Sequence, residues 1–89
     1  MTKGVRVHVF NEVCEDAELD QWQLCFQWCR YFDLDSGEAY NGFRFIWRRP
    51  NGRSLQAARG QARLLSIAQG KRLMERAEAE GWGKNEAEA

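Results

Sequence analysis

The possible ligands for a soft metal ion in this 89-residue chain are three cysteines and one histidine: Cys14, Cys25, Cys29 and His8. Cys25 and Cys29 have the spacing C-x3-C, which differs from the C-x2-C of structural zinc sites. On a strand these two side chains would point the same way but lie about 13 Å apart, too far to share one ion. On a helix they would be neighbours about 6 Å apart. We interpret the cysteines as small side chains on a sheet face and predict no metal site; a thiol or metal protein is the third hypothesis for function.

Groups that could carry catalysis are scarce. His8 is the single histidine, so the sequence offers no pattern of serine, histidine and acid for nucleophilic catalysis. The acids within 12–20 and 33–38 could in principle act in pairs, but they fall in segments with loop composition. The eight glycines are scattered and form no phosphate-binding motif. We therefore predict that the protein is not an enzyme and binds no cofactor.

Charge is segregated along the chain, although the formal net charge is zero. Residues 1–42 contain eight acids and three bases (−5), residues 43–72 contain eight bases and no acid (+8), and residues 73–89 contain five acids and two bases (−3). A basic block between acidic flanks indicates an electrostatic surface. The predicted binding residues are its arginines: Arg44, Arg48, Arg49, Arg53, Arg59 and Arg63.

The stretch GFRFIWRRPNGR, residues 42–53, alternates aromatic side chains with these arginines. On a strand, Phe43, Phe45 and Trp47 would share a core face, and each would stabilise the fold by roughly 1.5–3 kcal/mol on burial. Arg44 and Arg48 would point outward, where guanidinium groups can bind phosphates or stack on bases. The favoured function is an interaction module that binds an anionic macromolecule, either an acidic protein surface or nucleic acid, through an Arg-rich β-hairpin.

Other interpretations of the arginines stay open. The acidic segments could lie over the hairpin and neutralise it within the molecule, or the arginines could protect an exposed sheet edge from aggregation. Acidic segments of one copy could also pair with the basic hairpin of another. In that case the protein would be a self-associating structural or regulatory protein, and a homo-oligomer is its expected form.

The cysteine count and the N-terminus suggest a compartment. Three cysteines cannot all pair within one chain, and the first ten residues do not resemble a signal peptide. No stretch approaches the roughly 20 apolar residues that a membrane helix needs. We predict a cytoplasmic protein with reduced thiols and no membrane partner.

The secondary structure follows from periodicity. Apolar and polar residues alternate over 5–10 and over 43–48, which predicts two strands. The acidic segment 11–20 is predicted as a loop. The sequence RPNGR predicts a tight turn, followed by a returning strand over 54–63. In that turn Gly52 would take the positive φ. The resulting register would place Arg49 opposite Arg53, Trp47 opposite Leu55 and Phe45 opposite Ala57. Residues 21–33 are ambiguous, but complete alternation favours a strand over a helix.

The C-terminal part predicts a helix. Ser66 and Gln69 form a capping box, and Gly81 fits the residue just past the last turn. The apolar stripe consists of Ile67, Met74 and Ala77, with Leu73 beside it. The predicted fold is α+β, a four-stranded antiparallel meander sheet packed on one C-terminal helix, with βαββα as the alternative. The predicted domain spans 1–83, and 84–89 would be a frayed acidic tail.

Overall fold

The computed structural model of the protein describes residues 4–51, 54–55 and 63–82. Within them lie three strands and one helix: β1 (Val5–Cys14), β2 (Gln23–Asp33), β3 (Ala39–Arg48) and α1 (Ile67–Ala79). The strands form one antiparallel sheet in the order β1-β2-β3. The fold is therefore α+β, as predicted, with α1 packed on one side of the sheet.

The predicted fourth strand is not confirmed. Most of 54–63 lies outside the described residues, and the part that is described pairs with β3 only through an isolated bridge between Arg48 and Leu55. The ambiguous segment 21–33 is a strand over most of its length, which excludes the βαββα alternative. A run of aromatic and branched side chains with period two fits a pleated surface better than a helix, and here that preference decided the structure.

β1 is longer than its alternating sequence indicates. The predicted strand ended at residue 10 and the predicted loop began at 11, yet β1 pairs with β2 as far as Cys14 opposite Cys25. The register shifts between Val9 and Asn11, so Phe10 is the extra residue of a β-bulge. A bulge breaks the simple alternation of inward and outward side chains, which is why periodicity alone placed the end of the strand too early.

The turn after β3 differs from the predicted hairpin. The Arg49 amide donates to the Ser54 carbonyl at 2.7 Å, and Leu55 lies opposite Arg48 rather than Trp47. Asn51 adopts a positive φ of 67°, a conformation that asparagine tolerates better than most residues. The predicted register is therefore wrong by one residue, and the predicted pairs that include residues 53 and 57 lie outside the described residues.

The ends of α1 follow their sequence signals. The Ser66 hydroxyl accepts a hydrogen bond from the Gln69 amide at 3.1 Å, and the Gln69 side-chain oxygen accepts from the Leu65 amide at 2.9 Å. At the other end Gly81 has φ +88°, and the Trp82 amide donates to the Ala77 carbonyl. Both predicted caps are confirmed.

The core lies between α1 and the side of the sheet that we call the helix face. Its buried residues are Val13, Leu24, Phe26, Leu73, Ala77 and Trp82, with Trp28, Phe45, Trp47 and Leu64 packed against them. On α1 the buried stripe is Gln69, Gly70, Leu73 and Ala77. The predicted stripe was wrong at two positions, because Ile67 is 81% exposed and Met74 is 45% exposed.

Gly70 is packed closely against the Leu64 side chain and the Phe45 ring of β3. A Cβ atom there would lie 3.0 Å from Leu64 Cδ1 and 3.4 Å from the Phe45 ring. A glycine inside a helix costs about 1 kcal/mol relative to alanine. Here the missing side chain leaves room that Leu64 and Phe45 occupy. The helix therefore packs over β1 and β2, and the Phe45 ring of β3 reaches it at Gly70.

Candidate functional site

The side of the sheet away from α1, which we call the far face, carries all three cysteines. Cys14 and Cys25 lie directly opposite each other on β1 and β2, with Cα atoms 4.0 Å apart, and form a disulfide. Cys29 is a free, buried thiol. The expectation of three reduced thiols, on which the cytoplasmic prediction partly depended, therefore does not hold for Cys14 and Cys25. Sequence spacing could not reveal their register, because it depends on the length of the loop between the strands.

Glu12 lies at the centre of a hydrogen-bond network on the far face. Arg48 donates to both carboxylate oxygens of Glu12, with its terminal nitrogen 3.0 Å from each, and Gln27 Nε2 donates to Glu12 Oε2 at 2.7 Å. Arg44 Nε in turn donates to Gln27 Oε1 at 2.7 Å. Gln27 is only 1% exposed, so this network satisfies a fully buried polar side chain and links all three strands.

The same network determines what the two strand arginines can offer. Arg44 and Arg48 lie on the far face, opposite the helix, as the alternation predicted. Both are half-buried, however, and their guanidinium groups are held by Gln27 and Glu12. Arg48 therefore uses both Nε and a terminal nitrogen on Glu12, whereas Arg44 uses Nε on Gln27.

The other predicted arginines are dispersed. Arg49 is exposed, with its guanidinium carbon 5.9 Å from the centre of the Trp22 ring, and Arg63 is exposed, with its carbonyl accepting from Trp47 Nε1 at 3.1 Å. Arg53 and Arg59 lie outside the described residues. The structure thus brings Arg44 and Arg48 together through Glu12 and Gln27. It shows Arg49 and Arg63 in other surroundings.

The far face also contains one group of possible metal ligands. The carboxylate of Glu12 and the sulfur atoms of Cys14 and Cys25 lie within 4.8 Å of one another. Thiolates are the form that binds metal, and here the two sulfurs are bonded to each other. The carboxylate is also occupied by Arg48 and Gln27. In this state the group does not have the donors of a zinc site.

Burial governs the chemistry of the free thiol. Burial raises the pKa of Cys29, against the lowering effect of the nearby Arg44 charge. Burial also raises the pKa of Tyr31, and the neighbouring Cys29 adds to that rise. A protonated thiol is a poor nucleophile, so the environment of Cys29 suits packing rather than covalent chemistry.

The helix face is only partly covered by α1. A helix of 13 residues is about 20 Å long, whereas strands of 10 and 11 residues extend for roughly 35 Å. On this face the strand residues farther from Leu24 than Phe26 are exposed or half-buried, so α1 does not cover that part of the sheet. We call this uncovered part the open face; its residues are Arg6, His8, Phe10, Trp28, Arg30, Phe32, Asn41 and Phe43.

An aromatic row crosses the open face from strand to strand. The Phe10 and Trp28 ring centroids are 5.3 Å apart in an edge-to-face arrangement, and those of Trp28 and Phe43 are 6.2 Å apart with nearly parallel planes. Phe10 and Phe43 are each 41% exposed. Phe43 was predicted to belong to the core together with Phe45 and Trp47. That prediction is wrong for Phe43, because the helix does not extend far enough to cover it.

Cations lie beside this row. The row next to the aromatic row crosses the three strands and consists of His8, Arg30 and Asn41. The row after that contains Arg6 and Phe32. Arg6 and Arg30 are exposed, and within the described part of the chain the ion pair found is Arg48–Glu12, on the other side of the sheet. Arg30 instead donates a hydrogen bond to the Asn41 side-chain oxygen at 3.1 Å. Sequence analysis missed Arg6 and Arg30 because they lie outside the basic block.

A groove adjoins Phe43 between the sheet and α1. It has a volume of about 500 Å³, with Phe26, Phe43 and Trp82 among its apolar walls and Met74 on the helix side. Lys71, Glu75 and Glu78 of α1 also line it. The open face therefore borders charged groups of both signs on the helix side and basic residues on the opposite side.

No family model, curated protein or solved structure matches this chain. The functional argument therefore depends on the contacts of its own residues. In the parts of the chain that the structure describes, no helix has the length and apolar character needed to cross a membrane.

Proposed function

We propose that the protein is a small non-catalytic interaction module that binds an anionic macromolecule through the open face of its sheet. One observation supports this most: aromatic rings and exposed arginines share one surface, and none of the open-face residues is acidic. A surface of this composition attracts negative charge and offers apolar contact area once the charges have met.

The contacts of the arginines favour the open face over the hairpin. Arg48 is paired with Glu12, so an anion bound there would compete with that carboxylate, and Arg44 is half-buried beside Gln27. Arg6 has no ion-pair partner in the described part of the chain, and Arg30 is held by a neutral amide. The exposed Arg49 and Arg63 can add attraction at longer range without forming the contact surface.

The remaining polar groups support a role without catalysis. The free thiol of Cys29 is buried and its pKa is raised, and the carboxylate of Glu12 is neutralised by Arg48. His8 contacts the Phe10 ring, with centroids 5.3 Å apart, which suits a packing role. An interaction module needs none of these groups to react.

The test is a salt titration of binding to single-stranded oligonucleotide and to polyglutamate, measured by fluorescence anisotropy. We expect affinity at low salt that falls as salt rises. The double variant Arg6→Gln/Arg30→Gln should make the slope against log salt shallower by about 0.7 for each arginine that contacts a phosphate of single-stranded nucleic acid.

Arg49→Gln is the matched control, since it removes one exposed arginine from another part of the sheet. It should change the slope less than either open-face substitution alone. Absence of binding to both ligands at low salt would contradict the proposal. Sedimentation velocity at two ionic strengths should accompany the titration, because salt-sensitive self-association would also change the anisotropy.

A further inference from the structure

We infer that the anionic partner is single-stranded nucleic acid, whose unpaired bases stack on Phe10, Trp28 and Phe43 of the open face. This inference rests on the proposed function and specifies its ligand. It adds a claim that charge alone does not make, namely that the aromatic rings contact the bases.

The arrangement of the rings is the first step of the argument. The row contains one ring from each strand, so it crosses the whole width of the sheet. Phe10 and Phe43 stand at its two ends and keep 41% of their surface exposed, while Trp28 lies half-buried between them. Phe43 also stacks on the Phe26 ring, with centroids 5.6 Å apart, and rings held in this way by their neighbours can support planar bases on their exposed parts without reorganising.

The chemistry of the rings favours nucleic acid over an acidic protein segment as the ligand. The face of an aromatic ring carries partial negative charge, so a carboxylate gains nothing by lying against it. A nucleobase is planar and stacks on such a face, while its phosphate lies some distance away. Cations next to an aromatic row therefore match a ligand in which the flat groups and the negative charges are separate.

The positions of the cations fit that separation. Arg30 and Asn41 belong to the row adjacent to Trp28 and Phe43, two residues along each strand, which is about 7 Å at the rise of a strand. The hydrogen bond from Arg30 to the Asn41 oxygen leaves further guanidinium N–H groups and the Asn41 amide N–H groups as donors. Phosphates can thus bind one row away from the stacked bases.

The charges around the open face give the ligand a direction. The groove next to Phe43 is lined by two carboxylates, Glu75 and Glu78, and one ammonium group, Lys71. The side of Arg6 and Arg30 carries cations and no acidic open-face residue, so the sugar–phosphate chain should follow that side. A duplex fits this surface poorly, because its bases are already stacked and its backbones shield them from the rings.

The experiment compares two probes of equal length and equal phosphate number, using the full chain. One is a short oligothymidylate, and the other is the corresponding abasic oligonucleotide. We expect at least fivefold tighter binding of the oligothymidylate, since stacking of a single base on an aromatic ring is worth that factor or more. Duplex DNA and polyglutamate should both bind more weakly than the oligothymidylate.

Ring variants locate the contact. Phe43→Ala and Phe10→Ala should each weaken oligothymidylate binding at least fivefold and leave abasic binding nearly unchanged. Tyr40→Ala is the matched control: Tyr40 is an exposed aromatic residue of the same strand as Phe43, but on the far face. It should not change binding to either probe. Thermal unfolding of each variant establishes that the fold is retained, and Phe43→Leu provides a second, less disruptive substitution.

The outcomes separate this inference from the function on which it rests. Equal affinity for the abasic and the complete oligonucleotide would overturn base stacking while leaving an anion-binding module. Tighter binding of polyglutamate or of duplex DNA would also overturn the inference and identify the other class of partner. Absence of binding to every probe at low salt would contradict both proposals.

Discussion

The two faces of the sheet are stabilised by different interactions. On the helix face, Leu24 and Phe26 are buried by hydrophobic packing against α1. On the far face, Cys25, Gln27 and Cys29 are as fully buried, although none of the described helix or strand segments packs over them. They belong to the central strand, where Glu12 and Arg44 of the edge strands hydrogen-bond to Gln27 and Cys14 is bonded to Cys25. On the far face, buried side chains are therefore stabilised by hydrogen bonds and a disulfide instead of by packing against a helix.

The first prediction concerns the helix face and has the largest expected effect. Leu24→Ala should lower the free energy of unfolding by about 2–5 kcal/mol, because it leaves a cavity beneath α1. Denaturant unfolding measures the change. Leu65→Ala is the control, since Leu65 is 81% exposed and its loss should cost less than about 0.5 kcal/mol. Equal effects of the two substitutions would contradict the assignment of the core.

The second prediction concerns the covalent link of the far face. Replacing both Cys14 and Cys25 by serine should lower the free energy of unfolding by about 3 kcal/mol, the loop-entropy value for a sequence separation of 11 residues. Thiol titration in denaturant should find one free thiol in the untreated chain and three after reduction. A reductant should destabilise the natural chain and have no effect on the double variant. Three thiols before reduction would contradict the pairing.

The third prediction separates hydrogen bonding from packing. Gln27→Leu should cost about 1–3 kcal/mol, because Glu12 and Arg44 each lose a buried partner. Arg44→Leu should then cost less in the Gln27→Leu background than in the natural chain, with a coupling energy of at least about 0.5 kcal/mol. Additive effects in this double-mutant cycle would show that the network does not act as a unit.

The fourth prediction is the smallest and depends on pH. Burial raises the pKa of Cys29 and of Tyr31 in the folded protein, so the folded state holds these protons more tightly than the unfolded chain. Their contribution to stability is complete below the unfolded pKa and is lost as pH rises from about 8.5 through the raised values. Unfolding experiments across that range should show a decline. Cys29→Ser should make it shallower, and an unchanged decline would assign it to other groups.

Alternation along β2 and β3 was a reliable guide to direction and a poor guide to exposure. It correctly placed Leu24 and Phe26 on the helix face and Arg44 on the far face. It could not show that Phe43 would stay exposed while Gln27 would be buried. A side chain's direction depends on its own strand, whereas its burial depends on how far its neighbours extend over it.

The predicted binding site shows the same difference. The charge block selected arginines as binding residues, and whether the hairpin binds a partner stays a prediction. Two of its arginines contact Glu12 and Gln27, which come from other strands. Arg6 and Arg30, separated by 24 positions in the sequence numbering (30 − 6), become neighbours of one surface only through the pairing of β1 with β2.

The sequence by itself determined the class of fold, the strand nature of 21–33, the caps of α1 and the two directions in which side chains leave the sheet. These properties follow from local backbone geometry, which a few consecutive residues specify. Only the tertiary structure decided the Cys14–Cys25 pairing, the bonds that hold Arg44 and Arg48, and the uncovered part of the sheet. Each depends on strand register or on the length of a helix relative to the strands beneath it, and distant parts of the chain establish these together.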